Sequence, residues 1–245
     1  MLRCLPNRAT RCLQGAFMPA TPVSFAFDPL CPWCWQTSKW IRRVEELGVA
    51  TVTWGVYSLE LAHHVDGPAA GDPLGNGVRG LRTAIAVRDK HGNDAMGAFY
   101  AALGERYFTQ VEPSEDPATF HGALRDAGLD PAIYDRAVAT RQTFTKLVKE
   151  HRLLVKETKA FGVPTIRTDG GRGPGMFGPV ISELPDDTEA VELFEHVVWM
   201  IAHDNFAELK RDRVRTLDVE RSHQWARERK ARARAKAKAA KGAKA

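Results

Sequence analysis

Large apolar side chains stand at alternate positions in Val23-Ser24-Phe25-Ala26-Phe27, the period of a strand, and Asp28-Pro29 ends it. From Pro32 the period changes. Trp33, Thr37, Trp40, Ile41, Val44 and Leu47 recur at helical spacing, with Pro32 suited to the first helical turn and Gly48 to the stop. Thr51 to Leu59 reads as a second strand, so the chain opens with a strand-helix-strand unit joined by a parallel crossover.

The middle of the chain has few β-branched clusters and several capped helical stretches. Val78 to His91 is one, and Asn93 is suited to cap a second whose apolar face is Met96, Phe99, Tyr100, Leu103 and Tyr107. Asp116-Pro117 and Asp130-Pro131 each set a capping residue before a proline fit for a first helical position, and Gln142 to Phe161 predicts a further long helix. Val163 to Arg167, a glycine-rich turn from Asp169 to Gly175, and Met176-Phe177 read as a hairpin. Asp187 to Glu208 predicts a closing amphipathic helix with Val191, Phe194, Val198, Ile201 and Phe206 on one side.

Length and charge refine this picture. At 245 residues, 44% hydrophobic and 27% charged, the chain has the composition of a globular protein, and no apolar run approaches the roughly 20 residues of a membrane helix. Residues 221 to 245 hold ten Lys or Arg against Glu228 alone, and residues 1 to 20 hold three Arg; removing both from the overall +5 leaves −7 on residues 21 to 220. Any attraction to anions as a whole therefore belongs to the tail, whose low-complexity Lys, Arg and Ala run from Arg227 has no apolar face and is expected to be disordered or only transiently helical. The start lacks an apolar signal core, which favours a cytoplasmic product, and Met18 is an alternative start to Met1. The expected organisation is an extension over 1–21, an α/β body over 22–210 with a helical insertion over 77–160, and a basic tail over 221–245.

The four cysteines, Cys4, Cys12, Cys31 and Cys34, all precede residue 35. Cys31 and Cys34 stand at the start of a helix that follows a strand, where thiol-disulfide exchange needs them. The helix dipole and free N–H groups are expected to favour a Cys31 thiolate, the nucleophile, and Cys34, one turn inside, can resolve a mixed disulfide. Pro32 and Trp33 between them help set the redox poise. A structural zinc site is the competing reading, but it wants a second ligand pair, and His63 and His64 are adjacent. The eight histidines are scattered and read as surface or satisfied core residues. No motif for a bound nucleotide or flavin is present, so no bound cofactor is expected. Gly162-Val163-Pro164-Thr165 resembles a cis-proline loop entering a strand, although a trans proline at a strand start fits the same residues. Trp33 is expected exposed beside the thiols and Trp40 buried.

The run from Phe27 to Trp35, then Gly162-Val163-Pro164-Thr165, Phe177-Gly178-Pro179-Val180 and Phe206 to Arg211 resemble, in that order, the DsbA-like, mycothiol-dependent nitroreductase family. The resemblance covers roughly residues 22 to 213. It implies a thioredoxin fold with an inserted all-helical domain, a Cys31 nucleophile, a resolving Cys34 and a cis bond before Pro164. It also implies mycothiol as thiol co-substrate, activity on disulfides or mixed disulfides, and nitro-compound reduction as a side activity. Val163 would offer its backbone to a bound substrate. The sequence departs from the family at Arg172-Gly173-Pro174, at Ala62 to Gly77 and at both termini; the first two are expected to border the active site.

A DsbA-like oxidant that donates its disulfide is the nearest alternative, although such a protein works outside the reducing cytosol. A different class is an interaction protein tethered to nucleic acid or another polyanion by residues 221–245. Monomer and homodimer are both compatible with the sequence.

Overall fold

The computed structural model describes residues 19–63 and 75–242. β1 (Thr21–Phe27), α1 (Pro32–Glu46) and β2 (Ala50–Val56) form the expected parallel unit, with Val23 opposite Val52, Phe25 opposite Trp54 and Phe27 opposite Val56. After the short α2 (Leu59–His63) the chain leaves the sheet. Helices α3 (Asn76–His91), α4 (Asn93–Gly104), α5 (Pro117–Asp126), α6 (Ala132–Ala139) and α7 (Arg141–Thr158) follow before it returns as β3 (Thr165–Thr168) and β4 (Gly175–Phe177). β3 is antiparallel to both β1 and β4, giving the sheet order β2-β1-β3-β4. This is a DsbA-like thioredoxin fold, and α3 to α7 are the insertion within it.

The insertion holds together partly through Arg82, a buried cation on α3. Its guanidinium donates to the carbonyls of Ala137, Val138 and Thr140 and to the Thr143 hydroxyl, satisfying carbonyls that the end of α6 leaves unpaired. α4 joins the insertion to the sheet. Tyr100 stacks on Phe27 with ring centroids 3.9 Å apart and lies edge-on to Trp54 and Trp35. That approach needs small residues: a Cβ at Gly104 would sit 2.3 Å from the Trp35 ring, and one at Gly97 2.5 Å from the Trp54 indole nitrogen.

Asn93 does not cap α4 as expected. Its side-chain carbonyl accepts from the Trp54 N–H at 2.7 Å and its amide donates to the Val52 carbonyl at 2.8 Å. β2 is an edge strand covered by α4, and Asn93 supplies the hydrogen bonds a further strand would have made.

α8 (Asp187–Ala202) packs on α1, where the Trp40 indole donates to the Ala190 carbonyl at 3.0 Å and the Arg43 guanidinium forks onto Asp187. α8 stops six residues short of the expected Glu208. Beyond Ile201 the apolar stripe is not continued against the core, and Leu209 and Val214 stand exposed, so packing does not reward further helix. Residues 203–219 instead run as an irregular strap. After the strap comes α9 (Glu220–Gly242), a helix that suits a run of Ala, Arg, Lys and Glu. Leu217, Val219 and Arg221 root it, all buried, and the Arg221 guanidinium lies over the Tyr107 ring and donates to the Tyr107 and Glu112 carbonyls. The Met1 and Met18 alternatives, Cys4 and Cys12, and most of the Ala62 to Gly77 segment lie outside the described residues.

Candidate active site

β1 delivers the chain to the end of the sheet, where Asp28 to Leu30 turn it into α1. Cys31 is the N-cap of that helix, in extended conformation, with Pro32 in the first helical turn. Cys31 is half-buried, and its sulfur faces the backbone N–H groups of Trp33 and Cys34. Cys34, one turn inside, is fully buried with its sulfur 4.0 Å from the Ala26 carbonyl. Both are free thiols. Trp33 is half-buried, whereas Trp35 and Trp40 belong to the core.

The electrostatics correct one expectation. The helix N–H groups do favour a Cys31 thiolate, but burial outweighs them and pushes the thiol up to about 11. The Asp28 charge pushes the same way, and Arg213 pulls against it. Burial also drives the Cys34 thiol well above its ordinary range. The resting site is therefore a protonated dithiol.

Three residues of this site carry no signal that the spacing of the cysteines reveals. Asp28, which ends the strand pattern, is buried, and its two carboxylate oxygens accept from the N–H groups of Leu30 at 3.0 Å and Leu59 at 2.9 Å. Burial raises its pKa to about 6, and its charge reaches both thiols. Tyr100 reads in the sequence as one position of an apolar helix face. Its buried hydroxyl makes no hydrogen bond among the described residues, and it acts on the Cys34 thiol in the direction that favours a thiolate. Arg213 comes from the strap, with its guanidinium 4.6 Å from the centre of the Trp33 ring.

Ala26 lies opposite Thr165, so the end of β1 and the entry to β3 share one end of the sheet. Val163 and Pro164 are buried there and the bond between them is cis. Among the described residues the Val163 backbone N–H and carbonyl have no hydrogen-bond partner. A second cis bond precedes Pro179, within the Phe177 to Val180 motif, where only the bond before Pro164 was expected to be cis. Gly178 N–H donates to the Pro164 carbonyl at 2.8 Å, and the Thr37 hydroxyl reaches the Pro179 carbonyl at 3.2 Å, tying both proline loops to α1. The enlarged hairpin loop does not border the thiols. Val23 pairs with Thr168, so the loop from Asp169 to Pro174 lies at the opposite end of the sheet, where Gly171 approaches Ser24.

His151 is a satisfied core residue: its Nδ1 accepts from the Ser58 N–H at 3.3 Å, its ring lies edge-on to Tyr57, and burial lowers its pKa. Among the described residues no three His, Cys, Asp or Glu side chains are grouped so as to hold a metal ion.

Solved structures share this fold. The cytosolic disulfide reductase DsbM from Pseudomonas aeruginosa superposes with a TM-score of 0.52 at 15% identity, over 71% of this chain and 97% of its own. A putative protein disulfide isomerase from Nitrosomonas europaea gives 0.52 at 13% identity, over 72% and 96%. At these identities the likeness shows the fold. In sequence, the uncharacterized protein Rv2286c of Mycobacterium tuberculosis is 34% identical over 195 residues, covering 78% of this chain and 82% of its own. The profile of the Rv2466c-like family, described as mycothiol-dependent nitroreductase Rv2466c, matches residues 30–211. Matched over that length, with Cys31 and Cys34 inside the match, the chain belongs to the Rv2466c-like, mycothiol-dependent nitroreductase family.

Proposed function

We propose that this protein is a cytoplasmic thiol-disulfide oxidoreductase that reduces disulfides or mixed disulfides through Cys31 and Cys34 and is itself reduced by mycothiol. The observation that carries the reading is the unequal setting of the two thiols: Cys31 half-open at a helix N-terminus, Cys34 sealed one turn behind it. Cys31, once deprotonated, attacks one sulfur of the substrate disulfide. The other sulfur leaves as a thiolate and takes up a proton, and a mixed disulfide on Cys31 remains. Cys34 gives up its proton and attacks the Cys31 sulfur, releasing the second substrate thiol and closing the Cys31–Cys34 disulfide. Two electrons and two protons pass from the dithiol to the substrate. Two mycothiol molecules restore the dithiol and become mycothiol disulfide. Asp28, largely a carboxylate at neutral pH, is suited to accept a proton from this buried site, and Tyr100 steadies the Cys34 thiolate. The free backbone of Val163 suits hydrogen bonding to a substrate that lies along β3. Nitro compounds would enter as two-electron acceptors, one nitro group and one dithiol giving a nitroso group, the enzyme disulfide and water.

Trp33 provides the test. Its fluorescence should change as the oxidised protein is mixed with mycothiol, with slower or no change with thioredoxin and its reductase. No reduction by mycothiol would discard this donor and favour the oxidant reading.

A second contact is supported by α9. Its root is packed against the body, and its free length carries Arg227, Arg229, Lys230 and Arg232 on described positions with further Lys and Arg beyond. Such a helix fits weak, salt-dependent contact with nucleic acid or another polyanion.

A further inference from the structure

Beside Trp33 the strap of residues 207–215 faces the loop after α7 and strand β4 across a groove of about 760 Å³. This volume falls in the range of small-molecule sites. One wall is aromatic: Phe161 and Phe177 have ring centroids 4.6 Å apart, and Phe161 is 71% exposed. The rest is cationic. Lys159, Lys210, Arg211, Arg213 and Arg215 line the groove against Glu208 and Asp212, a local excess of positive charge on a body whose net charge is negative. Among the described residues only Arg215 of these five has a carboxylate partner, Glu183 at 2.5 Å. Arg213 joins the groove to the chemistry, since its guanidinium lies over Trp33 and its charge acts on Cys31.

Four cations without a carboxylate partner among the described residues, beside the exposed Phe161 and the half-buried Phe177, form a surface for a ligand that is itself part anionic and part apolar. We propose that this groove recognises the oxidised substrate, and that the substrate is a small disulfide or mixed disulfide bearing a carboxylate next to an apolar or aromatic group. The inference rests on the reading of Cys31 as nucleophile and adds to it the class of disulfide admitted. Carboxylates engage Lys159, Lys210 and Arg211, the apolar part lies on Phe161 and Phe177, and the disulfide is left towards Cys31 beyond Trp33.

The test uses the full reduced chain in a Cys4→Ser/Cys12→Ser background and follows the absorbance of the aromatic thiol that each probe releases on exchange. Two aromatic disulfides serve as probes, the dianionic 5,5′-dithiobis(2-nitrobenzoate) and the neutral 2,2′-dithiodipyridine. In a Lys210→Gln/Arg211→Gln variant the rate with the dianion should fall about tenfold, while the neutral probe keeps its rate. Added salt should slow the dianion with the unsubstituted strap and much less with the variant. Equal losses with both probes, or no loss with either, would overturn the proposal. A Cys31→Ser variant should be silent with both probes. Reaction there would overturn the Cys31 reading itself, an outcome separate from the charge ratio.

Discussion

Cys31 and Cys34 stand three residues apart in one helical turn, yet they face two differently built regions. Cys31 opens towards a strap that is almost wholly exposed, irregular and rich in cations. Cys34 points into close-packed aromatic core, with Tyr100 beside it, Phe27 stacked on Tyr100, and Asp28 held rigidly by two backbone N–H groups. The outer region has little packing to lose and selects what approaches. The inner region sets the cost of charge on the thiols, and its burial is strong enough to reverse the effect of the helix N-terminus on Cys31 itself.

The largest effects should come from separating the two thiols. Cys31→Ser is expected to reduce disulfide reductase activity to background. Cys34→Ser should still attack substrate but fail to release it, so intact mass should show the substrate half attached at Cys31. A Cys34→Ser protein that turned over normally would mean that Cys34 is not the resolving thiol.

The balance between burial and the helix N-terminus is open to a direct reading. A thiol at about 11 has a thiolate fraction that grows about tenfold per pH unit well below that value, so alkylation of Cys31 by iodoacetamide should accelerate about 1,000-fold from pH 7 to 10. The label is located by peptide mass. A rate that levelled off below pH 8 would show the helix dipole prevailing over the buried surroundings.

Asp28 extends the comparison to stability. Its folded-state pKa of about 6 lies above the ordinary 3.8. Between those values the folded chain holds a proton that the unfolded chain has released, so stability falls as pH rises through this window. The loss is complete near neutrality and amounts to about 3 kcal/mol. The unfolding free energy of the unsubstituted protein, relative to Asp28→Asn, should decline by about that much between pH 3 and 7.5 in urea titrations. His151, whose lowered pKa acts in the opposite sense, is common to both proteins and cancels. A difference that did not vary with pH would remove Asp28 as a titrating group of the site.

The inner region was the more legible in the sequence, and for physical reasons. Alternation in Val23 to Phe27 and helical spacing from Trp33 to Leu47 follow from one-sided burial, and the spacing of Cys31 and Cys34 follows from one helical turn. Asp28 and Tyr100 were hidden because their neighbours at the site come from distant segments: Leu59 N–H for the one, Cys34 for the other. Asn93 misled because its side chain satisfies a sheet edge rather than its own helix. The strap was legible only as a motif, Phe206 to Arg211. With no apolar period to mark it as an element, its return to Trp33 through Arg213 appears only in three dimensions.

The smallest effect is expected farthest from both regions and depends on where α9 is cut. Ending the chain at Ala226 keeps Leu217, Val219 and Arg221, the residues that root the helix on the Tyr107 turn, and removes the free basic length. Turnover should change less than twofold, while retention on a polyanion column should fall to that of a protein with an acidic body. Ending it at Thr216 removes two buried apolar side chains as well, each worth about 1.5 to 3 kcal/mol, and should lower the unfolding midpoint. The pair of truncations separates a tail that tethers from a root that stabilises. If the Ala226 truncation lost turnover in low salt, the basic helix would be acting at the thiols, and the outer region would have to be redrawn to include it.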